Sequence, residues 1–155
     1  MIRVRSTGRA ARRAGSLLAA AAVVTAGFCA PVANADDTVL VPRLTKPHNV
    51  DDSGKEAGPN RFKPGRDGTV TVGLRWETNN GKAVGAYCHE EVKILNPFGG
   101  VVFERQQDLG GGCTGGGGWR ARVFGLGTFK YILDVTNKDT GEVKHAELPF
   151  DLVVF

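Results

Sequence analysis

Apolar and polar residues alternate through most of this chain with a period of two, the signature of half-buried β-strands rather than helices. Between residues 69 and 77, Val70, Val72, Leu74 and Trp76 share one face, and Thr69, Thr71, Arg75 and Glu77 share the other. Asn79-Asn80-Gly81 follows as a tight turn, since Asn-Gly tolerates positive φ. Val84, Ala86, Cys88, Val92 and Ile94 keep one parity in the next run, and Glu90 falls among them, which predicts a bulge or strand end near it. Asn96-Pro97-Phe98-Gly99-Gly100 marks another turn, before a strand carrying Val101, Phe103 and Arg105. Extended structure resumes over 119–124. Phe129, Tyr131, Leu133 and Val135 then alternate with polar partners, Asp139-Thr140-Gly141 turns the chain, and Leu148, Phe150, Leu152 and Val154 close it. Two segments break the rhythm. Residues 49–68 read as a long polar loop with one short strand near 60–63. Residues 110–118, seven glycines interrupted by Cys113 and Thr114, read as a Gly-rich loop, because glycine loses the most backbone entropy on ordering. The pattern predicts an all-β protein of about seven strands, a single antiparallel β-sandwich domain over residues 36–155.

The first 35 residues obey a different pattern. Five arginines and no acid precede an apolar run over 17–28, and Ala33-Asn34-Ala35 follows Pro31. This is the order of a secretory signal peptide with cleavage after Ala35. The apolar run is too short to span a bilayer, which needs ~20 residues. Phe28 before Cys29 is bulkier than the residue that precedes a lipidated cysteine, and no apolar residues follow Arg12-Arg13 as a twin-arginine signal needs. General secretion of a non-anchored product is therefore expected, with a leader similar to those of high-GC bacteria.

Removing that leader changes the charge and cysteine counts. The chain has 20 basic and 16 acidic residues; without the leader's five arginines, 15 face 16, a net charge of −1. The electrostatic case for nucleic acid or an anionic membrane as partner disappears with the leader. Arg61, Lys63 and Arg66 read as a solvated loop. Of the three cysteines, Cys88 and Cys113 remain, and two cysteines in an exported domain are expected to pair. Closing a loop of that size stabilises by ~3–3.5 kcal/mol in the chain-entropy account.

Residues 127–135 (GTFKYILDV), with the glycine turn and last apolar strand after them, resemble the penultimate strand of bacterial immunoglobulin-like domains. Residues 96–102 (NPFGGVV) are similar to an earlier turn and strand of such domains. The resemblance covers about sixty residues and implies a fold, not an activity. It also implies a departure: antibody-type cysteines bridge two sheets from distant positions, whereas Cys88 and Cys113 enclose little more than a hairpin. The expected bond therefore pins the glycine loop to a neighbouring strand.

Candidate chemistry is sparse. After the leader the one serine, Ser53, lies in the polar loop with no nucleophile elbow around it. His48 with Asp51 and Asp52, His89, and His145 with Glu147 read as surface groups, and no metal-ligand spacing occurs. Glu90 and Glu91 are adjacent and point to opposite faces of a strand. No cofactor is expected. The favoured function is a secreted, non-catalytic binding or envelope-associated protein with a protein or glycan partner outside the cell. Its site is expected at the glycine loop, with Arg120 and Arg122 as polar neighbours of Trp119, which reads either as an exposed aromatic anchor or, the favoured reading for this ring, as a core residue. Alternatives are an inhibitor of an extracellular protease, and a small secreted hydrolase using a carboxylate pair ~5–9.5 Å apart.

Overall fold

Nine strands and no helix make up the described residues, 37–47 and 54–154 of a computed structural model. In chain order they are β1 (Leu40–Thr45), β2 (Lys55–Gly58), β3 (Arg61–Lys63), β4 (Thr69–Thr78), β5 (Cys88–Leu95), β6 (Val101–Leu109), β7 (Gly115–Phe124), β8 (Gly127–Asn137) and β9 (Val143–Leu152). The leader with its cleavage point, and His48, Asp51, Asp52 and Ser53, lie outside the described residues.

The strands form two sheets, a three-stranded one in the order β1-β4-β7 and a six-stranded one in the order β2-β3-β9-β8-β5-β6. All pairings are antiparallel except β3 with β9. Both sheets contribute to one core. Val70, Val72 and Leu74 of β4 face it from one side, and Val92, Ile94, Tyr131 and Leu133 from the other, all fully buried. At ~1.5–3 kcal/mol for each large aliphatic side chain withdrawn from water, the period-two faces account for the packing of the layers. This layout is compatible with a β-sandwich.

Three expectations change. Strands number nine rather than about seven, because β1 and β2 also form. β1 carries Pro42, which a sheet accepts at an edge strand where no ladder N–H is needed. β2 pairs only with β3, inside the segment expected as loop. No bulge occurs at Glu90: it stays in register opposite Gln107 and Val135, its side chain fully buried, and the irregularity falls instead at Ile94/Leu95.

The third change concerns the glycines. The loop expected over 110–118 ends at Thr114, and Gly115–Phe124 is a strand paired to β4. A Cβ on Gly115 would lie 2.8 Å from the Trp76 carbonyl oxygen, and one on Gly116 would lie 2.6 Å from both Trp76 Nε1 and Glu90 Oε2. Close approach of neighbours, not loop flexibility, excludes side chains there. Cys88 and Cys113 are bonded and buried, with Cα atoms 6.2 Å apart. The bond joins the start of β5 in the larger sheet to the segment entering β7 in the smaller one.

Candidate binding face

Strand β4 is the centre of the three-stranded sheet, and its alternation sorts the neighbourhood. Leu74 faces the core, and its partner across the ladder is Trp119. Ala121 and Val123, on the same face of β7, are buried. Trp119 therefore turns inward: it is half-buried against the core, and its indole Nε1 is sealed from solvent with no hydrogen-bond partner among the described residues. Arg120 and Arg122 point the other way, to solvent. The structure thus brings the two arginines together, while Trp119, packed partly on the core, also lines the groove beside Arg75 and Arg120.

The outer face gathers further cations. Arg120 lies opposite Gly73 and Arg122 opposite Thr71 on β4, while Arg43 of β1 lies opposite Arg75 of β4. Like charges directly across a ladder are destabilising. Two of the four are neutralised. Arg43 is ion-paired with Glu77. Arg122 holds Asp67 and donates from Nε to Thr69 Oγ1 at 3.1 Å. Asp67 also accepts from the Thr69 backbone N–H at 3.0 Å and its hydroxyl at 2.8 Å. These bonds, the backbone one first, hold its carboxyl down at about 2. Arg75 and Arg120 are exposed and have no ion-pair partner among the described residues.

Between these two arginines Gly73 is buried beneath Thr45 and Pro47. Gly73 supplies no side chain, and a Cβ there would lie 2.7 Å from Thr45 Oγ1. Gly118, at φ 93°, is the extra residue of a bulge: Leu74 pairs with Trp119 and Arg75 with Gly117, which leaves Gly118 without a partner across the ladder. Together these residues edge a solvent-open groove of about 590 Å³, within the ~300–1,000 Å³ typical of ligand sites.

The other candidates sit elsewhere. Glu90 lies between the sheets; its Oε2 accepts from Gln107 Nε2 at 2.7 Å, and its Oε1 has no partner among the described residues. Burial, and secondarily the charge on Glu90, push the Tyr131 phenol well above its ordinary pKa. Glu91 and Glu104 share the Lys93 ammonium on the outer face of the larger sheet. No substrate could reach Glu90 together with either acid without opening the core. His89 bonds Asp108 at 2.9 Å, and His145 sits between Asp134 and Glu147, both on the surface as expected. Among the described residues no group of three or more metal-ligating side chains converges, and no helix long and apolar enough to cross a membrane occurs.

Sequence reasoning did not single out Arg75. Its place on the polar face of β4 was legible, but not that nothing pairs it. No protein-family model matches the chain, and a search of curated proteins finds no similar sequence.

Proposed function

We propose that this is an exported, disulfide-closed immunoglobulin-like sandwich that acts by binding a partner outside the cell, with the outer face of the three-stranded sheet as its contact surface. The observation that carries the reading is the pair Arg75 and Arg120, exposed, without ion-pair partners among the described residues, and lining one groove. Unpaired like charges on one sheet face weaken the fold, and a partner of opposite charge would offset that cost. A rigid sheet is also a preorganised platform, so little entropy is lost when it docks.

The strand order supports the immunoglobulin-like assignment. Sheets β1-β4-β7 and β9-β8-β5-β6 follow the order A-B-E and G-F-C-C′ of such sandwiches, with β2 and β3 added beside β9. The order of features in the leader supports export, and so does the bond between Cys88 and Cys113, of a kind that persists in oxidising compartments.

The test is capture of partners from the culture medium and envelope of the producing organism. The expected result is material retained by the native chain and lost with Arg75→Glu/Arg120→Glu, while Arg61→Glu/Arg66→Glu retains it. Equal retention by the first double variant would refute the contact surface.

A further inference from the structure

We infer that the end of the molecule where β4 begins and β7 ends docks on an anionic lipid bilayer. Its apolar turn tips enter the boundary between headgroups and acyl chains, and Lys55, Lys63 and Arg66 hold headgroup phosphates. This surface is separate from the sheet face proposed above and goes beyond that reading.

Exposed apolar side chains are sorted to that end. Among the described residues nine large ones are exposed, and six of them, Phe98, Val101, Val102, Phe124, Leu126 and Val154, lie there. Contacts join the turns that carry them. A Cβ on Gly127 would lie 3.0 Å from Pro97 Cγ, and one on Gly68 would lie 3.0 Å from the Phe124 ring. Phe98 is the extreme case, 95% exposed on a turn fixed by hydrogen bonds. Asn96 Oδ1 accepts from the backbone N–H groups of Phe98 and Gly100, both at 2.9 Å, and the Gly99 N–H donates to the Asn96 carbonyl at 2.9 Å. Apolar residues exposed singly need no explanation, whereas a cluster at one end marks a docking surface.

Charge is sorted the same way. Lys55 lies opposite Lys63 across β2 and β3, and Arg66 follows in the turn that leads to Gly68. The three line one cleft of about 340 Å³ and have no ion-pair partner among the described residues. The acids near them are engaged or turned away. Asp67 is held by Arg122, and Asp151 lies opposite Arg61 and accepts from the Thr128 hydroxyl at 2.8 Å. Glu56, next to Lys55 on β2, points to the opposite face. The near-neutral net charge of residues 36–155 hides this local excess, and exposed charges act over only ~8–10 Å at physiological salt. A bilayer is the occupant that uses both features, because interfacial binding combines buried apolar area with attraction to anionic headgroups. Phe98 and Leu126 sit on separate turn tips, and a soft surface admits such side chains one by one. A second copy docked end to end would bring like cationic rims together. Free phosphate or a soluble polyanion would leave both tips in water.

The experiment is cosedimentation of the intact mature protein with vesicles of equal parts phosphatidylglycerol and phosphatidylcholine. Pure phosphatidylcholine vesicles, and inorganic phosphate and poly-glutamate followed by calorimetry, serve as comparison probes. Expected is saturable binding to the anionic vesicles that weakens as salt rises from about 50 to about 300 mM. Affinity should fall about tenfold for Phe98→Ser or Leu126→Ser, about a hundredfold for both, and about tenfold for Lys55→Gln/Lys63→Gln, with Tm unchanged. Val143→Ser, which alters an exposed apolar residue at the other end, should bind as the parent does. The inference is overturned if anionic vesicles do not bind, if Phe98→Ser/Leu126→Ser binds them equally well, if neutral vesicles bind as tightly, or if phosphate or poly-glutamate binds more tightly. A dimer in buffer that Phe98→Ser/Leu126→Ser dissolves would overturn it in favour of a second copy. Arg75→Glu/Arg120→Glu should leave vesicle binding intact, so failure of this surface and failure of the sheet face are read separately.

Discussion

Replacing Gly116 with alanine sets a methyl group where the core has no room. Its ideal Cβ would fall 2.6 Å from Glu90 Oε2 and 2.6 Å from Trp76 Nε1, with Trp76 Cε2 at 3.1 Å. Trp76 is a rigid ring in the core, 4% exposed. Glu90 is sealed inside and tied to Gln107, so neither neighbour swings clear without cost. Overpacking of this kind costs ~1–3 kcal/mol, and losing a hydrogen bond to a charged group adds ~1.5–3 kcal/mol. Relief of glycine's backbone entropy in a strand returns ~0.5–1 kcal/mol. The net expectation is a destabilisation of about 1.5–5.5 kcal/mol. Urea unfolding followed by tryptophan fluorescence measures it. Gly110→Ala is the matched control: its Cβ would meet only the Tyr87 ring, at 3.7 Å, and neither glycine has a positive φ. That variant should stay within ~0.5 kcal/mol of the parent. Truncating Glu90 to alanine in the Gly116→Ala background should cost less than it does alone, because the clash and the contact share an atom. If Gly116→Ala unfolds at the parent's urea midpoint, the glycines of β7 are not there for close approach and the reasoning fails.

Other outcomes follow from the same contacts. Removing the disulfide as Cys88→Ala/Cys113→Ala opens a loop of 25 residues and should cost ~3.5 kcal/mol, about 10–15 °C in Tm by calorimetry; a shift under ~3 °C would deny the bond a structural role. Trp119→Ala should destabilise by about 2–3 kcal/mol in urea, since the ring packs on the core, and unchanged stability would place the ring in solvent instead. Asp67 is held down at about 2 from 3.8, so its bonds stabilise the fold above pH ~4 and that contribution is lost as pH falls towards 2. Asp67→Asn should flatten the acid limb of the stability profile, and an unaltered limb would contradict this. His145 has a raised pKa, chiefly through its bond to Asp134, so its contribution is full below 6.5 and is lost as pH rises through the higher folded value. NMR titration of the imidazole should show that upward shift, and a midpoint at or below 6.5 would refute the pairing.

Much of the layering was legible from alternation alone. The faces of β4, β5, β8 and β9 follow from which residues share parity, because one face of each packs on a common core. The misreadings have physical causes. Gly115 and Gly116 resemble a loop by composition, but the reason for glycine there is the approach of Trp76 and, at Gly116, Glu90, both remote in sequence. Glu90 resembles a strand-breaking interruption, yet Gln107 opposite it accommodates the acid in the core. β1 was hidden by Pro42, which an edge position tolerates. At the candidate site, the outward direction of Arg120 and Arg122 was legible, and the parity of Trp119 with Ala121 and Val123 was a readable signal for packing on the core. Arg75 needed the fold, because the absence of a counter-charge is a property of three strands brought side by side.

Whether the chain is exported and closed by one disulfide is tested by the intact mass of the native product, taken before and after thiol alkylation. The predicted species begins at Asp36, has the mass of the oxidised chain, and gains alkyl groups only after reduction. A product that retains Met1, or one whose Cys88 and Cys113 alkylate without reduction, would contradict it.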